Sequence, residues 1–96
     1  MTIAVQLDFP GATLEQYDQL IQKMGFQPES TSERGCLFHW VTKTDDGIRV
    51  TDVWRTREQF QAFAEEKIGP LSRQLGIPGP PVIAFHEVHN YFTEPA

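Results

Sequence analysis

The stretch Ile48–Phe63 (IRVTDVWRTREQFQAF) constrains this chain most. It reads as a strand that runs directly into a helix. Ile48, Val50, Asp52 and Trp54 share one strand face, because side chains alternate with a period of two. Thr56 has the character of a helix N-cap, with Gln59 three residues on, and Phe60, Phe63 and Ala64 follow at helical spacing. Asp52 is therefore the one charged residue on an otherwise apolar face. A carboxylate placed there must be hydrogen-bonded or line a cavity.

The flanking segments complete the pattern. Thr2–Phe9 alternates strictly, with Ile3, Val5, Leu7 and Phe9 on one face, and Pro10-Gly11 ends it. Thr13 and Gln16 repeat the capping-box spacing ahead of an apolar helical stripe of Leu14, Tyr17, Leu20, Ile21 and Met24, closed by Gly25 with Phe26 behind it. A polar loop, Gln27–Gly35, leads to a second strand, Cys36–Lys43, and Thr44-Asp45-Asp46-Gly47 is a hairpin turn into a third, Ile48–Arg55. The second helix is expected from about Arg57 to Lys67, with a kink or restart at Gly69-Pro70 and a stop at Gly76. Ile77–Pro81 is an extended linker to a fourth strand, Val82–Phe92, and Thr93–Ala96 is a frayed tail.

The order β-α-β-β-α-β over residues 1–96 predicts a single α+β domain of ferredoxin-like type. Its four-stranded antiparallel sheet is expected in the order 4-1-3-2, with both helices on one face. Strands two and four are rich in apolar residues on both faces, and one helical layer hides only one face. A homodimer that pairs the exposed sheet faces is the expected partner.

Composition narrows the function. A net charge of −5, with eight scattered bases, argues against a nucleic-acid partner. The lone Cys36 excludes an internal disulfide and suits a reducing compartment. No apolar run approaches the roughly 20 residues of a membrane span, and the N-terminus lacks the basic and apolar regions of a signal peptide, so a cytoplasmic protein is expected. No glycine-rich phosphate loop or Cys/His cluster provides for a cofactor or metal, and none is expected.

Asp52-Val53-Trp54-Arg55-Thr56-Arg57-Glu58-Gln59-Phe60 resembles the acid-x-Trp-x-Ser/Thr-x-Glu-x-apolar signature of the antibiotic-biosynthesis-monooxygenase-like superfamily. The resemblance implies a dimeric α/β barrel built from ferredoxin-like protomers, with a pocket between sheet and helices. It implies cofactor-free oxidation of quinol-like or polyketide-like aromatic compounds as one activity and haem degradation as another. Where the family often carries a helix His, this chain has Phe63, and neither expected helix contains a His, which disfavours haem.

The hairpin register decides which residues meet. A two-residue loop sets His39 opposite Trp54; a four-residue loop sets it opposite Asp52; a three-residue loop puts Trp40 there instead. Either even-length loop assembles His39, Asp52 and Trp54. In the functional reading His39 is a general base oriented by Asp52, and Trp54 is an aromatic wall for a small aromatic ligand, with Tyr17, Phe63 and His89 as further binding residues. The alternative is a non-catalytic ligand-binding or structural homodimer, in which the cluster is packed shut by Tyr17, Met24 and Phe63. His86 and His89 lie on opposite faces of the fourth strand, and Cys36 is a small core residue rather than a nucleophile.

Overall fold

The computed structural model describes residues 1–30 and 32–95; Thr31 of the expected loop and Ala96 of the expected tail lie outside the described residues. Strand β1 (Ile3–Pro10) leads to helix α1 (Leu14–Met24) and the hairpin of β2 (Cys36–Lys43) and β3 (Gly47–Trp54). Helix α2 (Arg57–Phe63) continues through a π-helical turn, Ala64–Ile68, into α3 (Gly69–Gln74), and β4 (Val82–Glu87) follows. All neighbouring strands are antiparallel, in the order β2-β3-β1-β4. This is the expected ferredoxin-like α+β architecture, with the expected sheet order read from the opposite edge.

Alternation divides the sheet into two unlike faces. Val5, Leu7 and Phe9 of β1 and Ile48, Val50 and Trp54 of β3 point inward and are buried with Phe60 of α2. Tyr17, Phe63, Ala64, Ile68 and Phe85 pack around that core, so the helices cover this inner face. The opposite face carries Phe38 and Trp40 of β2 and Val82 of β4, all exposed.

Local chemistry sets the element ends. Thr13 accepts a hydrogen bond from the Gln16 backbone N–H while the Gln16 side chain accepts from the Thr13 N–H, a complete capping box. Gly25 adopts φ 82°, and the Phe26 N–H reaches back to the Ile21 carbonyl at 3.1 Å, so a left-handed residue closes α1 as expected. At the second helix only half the box forms: Thr56 accepts from the Gln59 N–H, and its hydroxyl donates to the Gln59 side chain at 3.1 Å.

Two boundaries differ from expectation. The second helix does not run evenly to Lys67. It widens after Phe63 into a π turn in which the Gly69 N–H bonds the Ala64 carbonyl, and α3 follows with Pro70 in its first turn. Proline has no N–H to give and its ring clashes with the carbonyl four residues back, so the wider turn lets the helical path continue through Gly69-Pro70. The fourth strand stops at Glu87 rather than Phe92, five residues short. Its ladder with β1 ends where β1 ends, at Ile3 opposite Glu87, with one last bond from the Val88 N–H to the Thr2 carbonyl.

Candidate functional site

The hairpin takes its four-residue form. Lys43 pairs with Ile48, Val41 with Val50 and His39 with Asp52. The Thr44 N–H closes the loop on the Gly47 carbonyl at 2.9 Å. His39 and Asp52 thus lie directly across the strands on the inner face. A bulge at Leu37 lets Cys36 oppose Trp54 while Phe38 opposes Val53, so the ladder survives past the site with Cys36 facing inward.

Four side chains form one hydrogen-bonded line. His39 Nδ1 lies 2.5 Å from Asp52 Oδ1, and the Trp54 indole N–H donates to Asp52 Oδ2 at 3.0 Å. At the other end, Tyr17 Oη lies 2.5 Å from His39 Nε2. Burial pushes the Tyr17 hydroxyl up to about 12, with the charges of Asp52 and Asp18 adding to the effect. Tyr17 therefore keeps its proton and donates it to Nε2. The imidazole proton then sits on Nδ1, where Asp52 accepts it. One neutral tautomer satisfies every donor in the line and both ring nitrogens of His39.

Exposure grades along it. The Asp52 side chain is 4% exposed and that of His39 28%. The buried carboxylate is anchored by two donors, while the imidazole reaches toward solvent. That opening is a cleft of about 1670 Å³ between α1, the 25–30 and 32–35 segments and the β2–β3 half of the sheet. Tyr17, His39, Asp52, Trp54 and Phe63 all line it, with Met24, Phe26 and Val41.

The structure refines the expected roles. Trp54 is 1% exposed, in ring contact with Phe60 and Phe63 at centroid separations of 5.9 and 5.3 Å. Two core rings pack against it and it is buried, so it does not offer a free aromatic wall; its contribution is the indole N–H that holds Asp52. Of the expected aromatic residues, the half-buried Tyr17 and Phe63 rings remain at the cleft. His89 lies past the end of β4, exposed, and does not line the cleft; the shortened strand is the reason. His86 projects from the outer sheet face opposite Ala4 and is exposed. Cys36 packs against the core, and burial pushes its thiol up to about 11, against nucleophilic use. Among the described residues, no three His, Cys, Asp or Glu side chains gather to hold a metal ion, and no helix is long and apolar enough to cross a membrane.

Two contributors were not anticipated. The Phe26 ring stacks on Phe63 with centroids 6.4 Å apart, extending the aromatic lining. Lys67 donates to Glu33 at 2.9 Å and lies over the Phe26 and Phe63 rings, pinning the loop that borders the cleft to the π turn. The Gly25-Phe26 helix stop hinted at the first; nothing in the spacing pointed to the second.

No protein-family model matches the sequence, and no curated protein matches it. Solved structures do match its fold. Rv0793 from Mycobacterium tuberculosis superposes with a TM-score of 0.66 at 14% identity, over 97% of this chain and 100% of that one. A putative antibiotic biosynthesis monooxygenase from Deinococcus radiodurans gives 0.57 at 17% identity, with both chains fully covered. The monooxygenase of ActVA-Orf6 from Streptomyces coelicolor, in complex with nanaomycin D, gives 0.56 at 17% identity over 97% of this chain and 91% of that one. The chain thus has the fold of the antibiotic-biosynthesis-monooxygenase-like structures, and at these identities the likeness is one of fold.

Proposed function

We propose that the protein binds a small hydroxylated aromatic compound, quinol-like or polyketide-like, in the cleft and oxidises it with dioxygen without a cofactor. The observation that carries this reading is the Tyr17–His39–Asp52–Trp54 line, with a half-exposed imidazole at a large, partly aromatic cleft. His39 is the general base and Asp52 stabilises the imidazolium that forms. Removing the hydroxyl proton makes the ring electron-rich enough to reduce dioxygen itself. A phenol then gives a quinone and water: one oxygen atom enters the ring, the other leaves as water, and the substrate supplies the electrons. The Tyr17 and Phe63 rings contact the flat substrate.

The likeness in fold to proteins named as monooxygenases supports the class of reaction. Residues 1–96 then act as one domain of a cytoplasmic homodimer, a reading supported by the single unpaired cysteine and by the apolar outer sheet face. The test is oxygen uptake with a panel of dihydroxynaphthalenes and hydroxyquinols. Turnover in the wild type that drops by about 10²-fold or more in His39→Ala is expected. Binding of such compounds with no oxygen consumption would leave the non-catalytic ligand-binding dimer.

A further inference from the structure

Both ring nitrogens of His39 are already engaged. Nδ1 gives its proton to Asp52, and the single lone pair of Nε2 takes the proton of Tyr17. An incoming hydroxyl therefore finds no free lone pair on the imidazole. It finds one on Tyr17 Oη, which donates through its hydrogen and still has acceptor capacity. The Tyr17 and His39 rings are nearly parallel, 10° apart, and both line the cleft. Tyr17 is also well placed to hold this geometry: its N–H makes a 3.0 Å bond to the carbonyl of the Thr13 cap, at the start of α1.

Resting on the function proposed above, we infer that Tyr17 is the group that takes the substrate's proton, passing its own to His39, and that the site accordingly selects compounds with an acidic aryl hydroxyl. In this step the substrate O–H bond breaks and its proton binds Tyr17 Oη. The Tyr17 O–H bond breaks and that proton binds His39 Nε2. The electron pair stays on the substrate oxygen, giving an aryloxide, a neutral tyrosine and an imidazolium paired with Asp52. Because burial and the neighbouring carboxylates oppose a free tyrosinate, the two transfers run together rather than through an ionised Tyr17. The substrate class follows from the proton acceptor. A phenol, with an ordinary pKa near 10, or a more acidic hydroxyquinone can lose a proton to an imidazole, and an aliphatic alcohol is far too weak an acid.

The probe is 4-nitrophenol, whose ionised form is yellow, titrated onto the wild type, Tyr17→Phe and His39→Gln. Wild type is expected to lower the apparent pKa of the bound probe. Tyr17→Phe keeps the ring but is expected to lose, in the probe that binds, at least about one unit of that lowering, a tenfold drop in the ionised-to-neutral ratio, and His39→Gln to lose as much. If Tyr17→Phe ionises the probe as well as wild type, His39 takes the proton directly: the relay falls while the base survives. If wild type leaves the probe neutral, or His39→Gln ionises it undiminished, the base reading itself falls and takes the relay with it. Should Tyr17→Phe not fold, 3-fluorotyrosine at the two tyrosines keeps ring and hydroxyl. The fluorine resonance of residue 17 must then move on adding 4-nitrophenol and on His39→Gln, and a resonance that ignores either overturns the relay.

Discussion

Asp52 is the residue on which the site depends. It is buried, and its two oxygens accept from His39 and Trp54. Asp52→Ala strands both donors at once, and each buried donor left without a partner costs about 1–3 kcal/mol, so a loss of about 2–4 kcal/mol is expected in urea unfolding. Tyr17 makes a pH prediction. Its folded pKa, about 12, lies above the ordinary value of 10.0. The folded state then holds the proton more tightly, so the stabilisation is complete below pH 10 and is lost as pH rises toward 12. Urea midpoints at pH 9 and 11 should fall less in Tyr17→Phe than in wild type; equal falls would mean that Tyr17 is not held in its neutral form by the fold. At this scale Asp52 could be recognised from strand alternation alone, because a charge on an apolar face must be accommodated. The Tyr17–His39 bond could not. The two lie 22 residues apart, and the bond depends on how α1 is rotated about its axis over the sheet, which apolar spacing defines only to within a broad stripe.

The β2–β3 hairpin shows the same division at the level of elements. Asp46-Gly47 is a strong turn signal, yet it is compatible with two registers that both gather the site residues. What separates them is packing between strands that are distant in sequence. Gly47 pairs with Pro10 of β1, and the Gly11 N–H bonds the Asp46 carbonyl at 2.7 Å. A Cβ on Gly47 would lie 2.1 Å from the Phe9 carbonyl oxygen. This glycine is needed for close approach of two backbones, a requirement set by β1 that no local pattern around the turn displays. Gly47→Ala forces those strands apart and is expected to cost about 2–3 kcal/mol, read as a lower urea midpoint, whereas a change within about 0.5 kcal/mol would show that the turn can move freely. The second helix is similar. Gly69-Pro70 marks a break in the helical repeat, but whether the chain kinks, stops or widens depends on how Ala64–Ile68 packs beneath the sheet. It widens into a π turn, and that turn is where Lys67 meets Glu33 at 2.9 Å.

For the whole molecule, the asymmetry of the sheet makes the strongest demand. One face is covered by helices, and the other exposes Phe38 at 58% and Trp40 at 44%, their rings 5.9 Å apart, with Val82 at 63% across the sheet. Large aromatic side chains grouped on an open strand surface fit the proposed homodimer, in which a second copy of the same face would cover them. The intervening residues suit such a contact. Thr51, Gln6 and Val53 are half-buried, and an ion pair on this face, Arg49 Nε to Asp8 Oδ1 at 2.7 Å, is satisfied within the chain. Pairing would therefore leave none of these charges unmatched. The wild type is expected to sediment as a dimer at micromolar concentration. Trp40→Glu places an unpaired carboxylate at that contact, and a like charge from each copy should weaken association by about 2–4 kcal/mol, roughly 30- to 1000-fold. The fold itself should stay intact, since Trp40 lies outside the core, and the circular dichroism spectrum of the variant should match that of the wild type. A wild type that sediments as a monomer at every concentration, or a Trp40→Glu variant that dimerises as tightly as wild type, would mean that this face is not where two copies meet.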